Sequence, residues 1–139
     1  MNFDDFIKNG QVKKASPDKA LIKSLVLTSK TDLSFLKNIS INENSARKTM
    51  SNYYDVLRSI LEAIASKHGY KIYSHEAFTY FLKKLSEPVI SEKFERFRRI
   101  KNSINYYGKN ISAEEVEENI KEINKIIVFL QKKYLDNEN

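Results

Sequence analysis

The stretch Tyr53-Tyr54-Asp55-Val56-Leu57-Arg58-Ser59-Ile60-Leu61-Glu62-Ala63-Ile64-Ala65-Ser66-Lys67-His68-Gly69 decides the fold. Tyr53, Leu57, Ile60, Leu61, Ile64 and His68 recur at three- and four-residue steps, the spacing of one helix face. Asn42 or a near neighbour opens this helix and Gly69 ends it, which makes it the longest helix and the centre of the core.

Working outward, the punctuation around that helix is helical too. Ser16-Pro17 places a capping hydroxyl before a proline at a first helical position, predicting a helix to about Lys37 with Leu21, Ile22, Leu25, Val26, Leu33 and Leu36 on its apolar face. Ser74-His75-Glu76 caps a shorter helix through about Leu85, which buries Phe78, Phe81, Leu82 and Leu85. Pro88 breaks the chain, and a further helix then runs to Gly108. Ser112-Ala113-Glu114-Glu115 reads as a capping box for a last helix striped by Val116, Ile120, Ile123, Ile127, Leu130 and Tyr134. With three glycines, two prolines and no alternating strand pattern in 139 residues, the expectation is one all-α domain. We expect an up-and-down bundle of four or five helices over about 16–135, a short N-terminal helix at 2–8 and a frayed tail at 136–139.

Composition narrows the function classes. The absence of cysteine excludes thiol catalysis and thiolate-bound metals and fits a reducing, cytoplasmic setting. Met1 to Gly10 carries Asp4 and Asp5 with no apolar run, so neither a signal peptide nor a membrane partner is expected. The net charge of +6 favours anionic partners in general. Its distribution says more. From Lys93 to Lys109 six basic residues face the single acid Glu95, whereas Ser112 to Glu122 holds five glutamates and one lysine, so the two stretches are suited to pair.

Three of the five arginines, Arg96, Arg98 and Arg99, fall within four residues, while the nineteen lysines are scattered. Guanidinium is a planar, permanently charged fork that fits phosphate and carboxylate. On a helical wheel Phe94, Phe97, Ile100 and Ile104 face the core; Arg98, Lys101, Asn102 and Asn105 form a polar strip beside them, with Arg99 and Tyr106 on the next strip outward. Two readings stand from spacing alone: a solvated charged face, or a strip in which Arg98, Lys101 and Asn105 converge on an anion. Arg58 likewise either meets Asp55 at the surface, or meets Asp55, Glu62 or the arginine helix across the bundle and orients a polar cleft.

Other chemistry finds little support. His68 and His75, the only histidines, stand near Glu62 and Glu76, but Gly69 ends the helix between them, so the i,i+4 presentation of a metal-binding helix is missing and no metal or cofactor is expected. His68 is assigned to the end of one helix, His75 to the start of the next, and Tyr53 and Tyr54 to the core and its rim. Glu114, Glu115, Glu117 and Glu118 are explained as acids favoured at a helix start.

Three stretches together resemble the HEPN superfamily (higher eukaryotes and prokaryotes nucleotide-binding), notably its archaeal stand-alone members. They are Tyr53 to Ala63, the junction Gly69-Tyr70-Lys71-Ile72-Tyr73-Ser74-His75-Glu76-Ala77, and Lys101-Asn102-Ser103-Ile104-Asn105-Tyr106-Tyr107-Gly108. The resemblance spans about Phe3 to Tyr134. It implies a helical bundle that forms a homodimer, often beside a minimal nucleotidyltransferase, with many members acting as metal-independent ribonucleases. In those nucleases an arginine precedes a histidine by four to six positions late in the domain. This chain departs from that pattern. Lys101 takes the arginine's place and Tyr106 the histidine's, or, counted from Arg99, the histidine position falls on Ile104, Asn105 or Tyr106.

The departure is chemical. Attack by a 2′-hydroxyl needs a group that moves protons near neutral pH, which imidazole does well and a phenol with pKa about 10 does poorly. The expectation is therefore an RNA- or nucleotide-associated domain that binds more than it cleaves, with Arg98, Arg99, Lys101, Asn102, Asn105 and Tyr106 as its motif and Arg58 and Tyr107 in support. The alternatives are a protein-interaction module that pairs with a nucleotidyltransferase, and a weak metal-independent ribonuclease. The resemblance also implies a modification, since some members carry nucleotide on a tyrosine just after the motif; Tyr106 and Tyr107 stand near that place but not two beyond a histidine.

Overall fold

The computed structural model describes residues 1–108 and 110–138; the side chains of Tyr106, Tyr107 and Glu138 lie outside that description. Six helices follow in order: α1 Phe3–Lys8, α2 Lys19–Leu36, α3 Ala46–Lys67, α4 His75–Lys84, α5 Pro88–Tyr107 and α6 Ala113–Tyr134. The expected all-α bundle is what forms, from α2 to α6 with α1 appended.

Helix α3 is the centre because apolar side chains cover most of its circumference, leaving a polar strip through Arg47, Lys48, Ser51, Asn52, Asp55 and Glu62 to meet solvent. Leu57, Ile60, Leu61 and Ile64 are fully buried, as are Tyr54 and Met50. It packs against α2 on one side and α6 on another, and also meets α4 and α5. Removing any one of those aliphatic side chains would cost about 2–5 kcal/mol through lost burial and the cavity left behind. Gly69 then takes the left-handed backbone, φ +86°, that stops α3 and that a side chain would strain. Gly108 ends α5 in the same conformation, φ 64°.

Three local expectations are corrected. Helix α2 is capped by Asp18, whose carboxylate accepts from the Leu21 amide at 3.0 Å, and not by Ser16; Pro17 lies outside the helix. Two strands also form where none was expected. β1 Val12–Lys14 pairs antiparallel with β2 Tyr70–Ile72, matching Val12 to Ile72, Lys13 to Lys71 and Lys14 to Tyr70. Three residues are too few for alternation to show in a sequence, and the pairing joins segments far apart in the chain. Third, Asp136–Glu138 at the tail form a turn of 3-10 helix behind the buried Leu135; Asn139 lies outside the described residues.

Other expectations survive. Ser74 caps α4 and Ser112 caps α6 through their hydroxyls, and Pro88 occupies the first turn of α5. Phe94, Phe97 and Ile104 are buried and Ile100 is partly so. Leu27 and Phe35, by contrast, stand on the outer side of α2 in solvent. Among the described residues no helix is long and apolar enough to cross a membrane.

Candidate functional site

The charged strip of α5 divides into two corners. At the first, Glu95 accepts from Arg98 through both oxygens, Nε to Oε1 and Nη2 to Oε2, each at 2.8 Å. Arg99 Nε adds a third bond at 2.9 Å and Thr79 Oγ1 a fourth at 3.0 Å. One carboxylate thus has its acceptor positions filled. The hydrogen bonds from Arg98, with those from Arg99 and Thr79 and against the cost of burial, hold the Glu95 carboxyl down at about 2. The Thr79 carbonyl accepts from the buried Ser91 hydroxyl at 2.7 Å, so the same residues latch α4 to α5. Arg98 is therefore engaged by its own helix and does not present a free fork. Arg96 binds Glu122 of α6, which is the pairing expected between the basic and acidic stretches.

At the second corner, α3 and α5 meet the start of α4. Tyr54, fully buried in α3, stacks on Phe94 and shares a hydrogen bond between its hydroxyl and His75 Nδ1 at 3.2 Å. Burial pushes the Tyr54 phenol well above its ordinary value, with Arg58 and Arg98 pulling the other way, so it is a neutral anchor for the ring. His75 itself lies at the surface. Partial burial lowers its pKa, and the nearby charges of Arg58, Lys101 and Arg98 lower it further while Asp55 opposes them. The imidazole is therefore neutral near pH 7.

The cations around it are held but not saturated. Lys101 Nζ reaches Asp55 at 2.5 Å and lies over the Tyr54 ring, 5.0 Å from its centroid. Arg58 makes one bond to Glu62, at 3.2 Å. An ammonium has three donors and a guanidinium five, so both keep donors for a ligand. Of the partners expected for Arg58, Glu62 is the one it bonds, and its charge also acts on Tyr54 and His75.

Helix α5 separates two clefts, and the expected motif residues are shared between them. Arg98 and Arg99 line one of about 560 Å³ with Glu76, Thr79 and Glu95. Lys101 and Asn105 line another of about 630 Å³ with Asp55, Asn52, Arg47 and Lys48. Asn102 lines neither. The expected side-chain roles of Tyr106 and Tyr107 lie outside the described residues. Sequence reasoning had passed over Arg47 and Lys48, and had weighed His75 only as a metal ligand and as a residue of a helix start. The signal for His75 was its place in the junction Gly69 to Ala77, just after the Ser74 cap, where a short helix start could present it to α3 and α5.

His68 is occupied elsewhere, with Nδ1 on the Ile64 carbonyl at 2.9 Å and its ring edge-on to Phe81 and Tyr134. Among the described residues no three His, Cys, Asp or Glu side chains gather as metal ligands. Compared with protein-family models, with curated proteins and with solved structures, the chain matches none.

Proposed function

We propose that this chain is a HEPN-like RNA-binding domain whose ligand phosphate sits at the His75 corner and whose strand continues into the cleft beside Lys101. The observation that carries the reading is that one buried tyrosine joins a surface imidazole and an ammonium: the Tyr54 hydroxyl is bonded to His75 while Lys101 lies over the Tyr54 ring, with the charge of Arg58 also felt at both rings. Arg58 and Lys101 each meet one carboxylate of the chain and keep donors that a phosphate could take. Beyond Lys101, Arg47 and Lys48 extend the positive lining along the path a phosphate backbone would follow. Binding of labelled single-stranded RNA over a salt series, without metal, tests this. Affinity should fall log-linearly with salt. No binding at low salt would sink the reading.

One observation favours metal-independent cleavage as a second reading. The family's histidine is absent from α5, but α4 supplies a neutral imidazole to the same cations. With Nδ1–H donated to the Tyr54 hydroxyl, Nε2 keeps its lone pair. It would take the proton of a 2′-hydroxyl as that oxygen attacks phosphorus, and the 5′-oxygen would leave with a proton returned by the imidazolium. The products are a 2′,3′-cyclic phosphate and a 5′-hydroxyl, with Lys101 and Arg58 stabilising the charge on phosphorus oxygens. Cleavage that His75→Gln abolishes while binding persists supports this reading; cleavage unaffected by it contradicts it.

A further inference from the structure

The two-stranded ribbon carries like charges opposite each other. Lys13 and Lys71 are direct partners across the antiparallel pair, so their side chains share one face. Such a pair is destabilising, and a sheet that only had to hold together would be better served by a threonine or an acid at either position. Tyr73, two residues beyond Lys71, lies on the same face, because its amide extends the ladder by donating to the Gln11 carbonyl at 2.8 Å. The residue is 54 % exposed. Both lysine ammonium groups lie over its ring, Lys13 at 5.7 Å and Lys71 at 5.5 Å from the centroid, so a stacked base would take the ring face as the ammonium groups move onto its phosphates. Neither lysine meets a carboxylate among the described residues. At the far end of the face Ala15 and Gly69 are joined by an amide-to-carbonyl bond of 2.9 Å, and neither carries a bulky side chain.

We propose that this face is a stacking subsite for one unpaired nucleobase of single-stranded RNA, with Tyr73 as the plate and Lys13 and Lys71 holding the phosphates on either side of it. An exposed aromatic ring flanked by cations is what a base and its backbone require, since every base has a π-face and each neighbouring phosphate adds a charge. The two lysines offset their mutual repulsion only when an anion lies between them. Position supports the same occupant. Tyr73 is two residues before His75, so a strand held at the His75 corner has its next nucleotides within reach of the ring. The inference rests on the RNA-binding reading and deepens it: it names a base contact where the His75 corner offers only phosphate contacts.

The test uses the full chain and a single-stranded RNA of about ten nucleotides with 2-aminopurine placed at each position in turn, in metal-free buffer. Wild type should quench the fluorescence at one position. Tyr73→Ala should remove that quenching and weaken binding about ten-fold, the usual worth of one base stacked on an aromatic ring, while Tyr73→Phe keeps both. Lys13→Thr combined with Lys71→Thr should flatten the salt dependence by one to two units and leave the melting temperature equal or higher, an outcome a merely structural role would reverse. If wild type binds the RNA and Tyr73→Ala binds and quenches equally, the stacking subsite is wrong and the His75 reading stands. If wild type binds no RNA, both fall. Equal binding of polyglutamate, lost with the same lysines, would show a charge surface without base recognition and overturn the proposal.

Discussion

At Glu95 four hydrogen bonds fill both carboxylate oxygens, whereas at His75 one ring nitrogen is bonded and the other has no protein partner among the described residues. Both corners border α5 and both contain arginine. The difference is how many donors share one acid, since Arg58 also pairs within its own helix, with Glu62, but takes only one bond from it. Glu95 precedes Arg98 by three residues and Arg99 by four, so one helix satisfies its own charges and ties itself to α4. Around His75 the charges come from separate helices and each keeps donors in reserve. A cluster of arginines is thus a poor guide to a binding site until its carboxylates are found.

The largest effect should come from closing the comparison at Glu95. Glu95→Ala leaves the largely buried Arg98 without its counter-ion and Thr79 without its acceptor, so the chain should lose about 2–3 kcal/mol in denaturant unfolding. A change of less than about 0.5 kcal/mol would mean that the latch is only a surface contact. The same corner predicts an acid transition. Because the folded carboxyl titrates at about 2 against an ordinary 4.5, its contribution is complete above pH 4.5 and is lost as pH falls towards 2. After allowance for solvent screening this amounts to roughly 1–2 kcal/mol, and Glu95→Gln should flatten that part of the stability curve.

At the other corner the expected effects on stability are smaller. Tyr54→Phe deletes the hydroxyl that holds His75 and should cost about 1 kcal/mol, with the ring signal of His75 broadening or shifting in NMR. His75 itself has a lowered pKa, so its contribution is present above 6.5 and fades as pH falls below that value towards the native one. His75→Gln should remove this slight slope between pH 6.5 and the native pKa while leaving stability at pH 8 nearly unchanged. Titration of the imidazole with RNA present should move its pKa upwards, because a bound phosphate favours the charged ring.

The bundle was legible because α3 repeats its apolar residues over five turns and because Ser74, Pro88, Gly108 and Ser112 mark element ends with side-chain or backbone chemistry. The ribbon was not, since three-residue strands gain their pairing from residues 58 positions away along the chain, such as Lys13 and Lys71. The site was half legible. Lys101 and Asn105 do line one cleft, but Arg98 and Arg99 turn to Glu95, a contact that the i,i+3 and i,i+4 spacing of the sequence already contained. The pairing of His75 with Tyr54 was hidden because the two lie 21 residues apart and on different helices.

The most direct measurement compares two double variants that each remove two positive charges: Arg58→Ala with Lys101→Ala, and Arg96→Ala with Arg99→Ala. Affinity for single-stranded RNA is read at one fixed salt concentration, with circular dichroism confirming that both proteins fold. The first pair should weaken binding at least ten-fold, on the scale of two lost charge-assisted contacts, and the second should change it less than about three-fold. Equal losses from both pairs, or a larger loss from the second, would contradict the assignment of the ligand to the His75 corner.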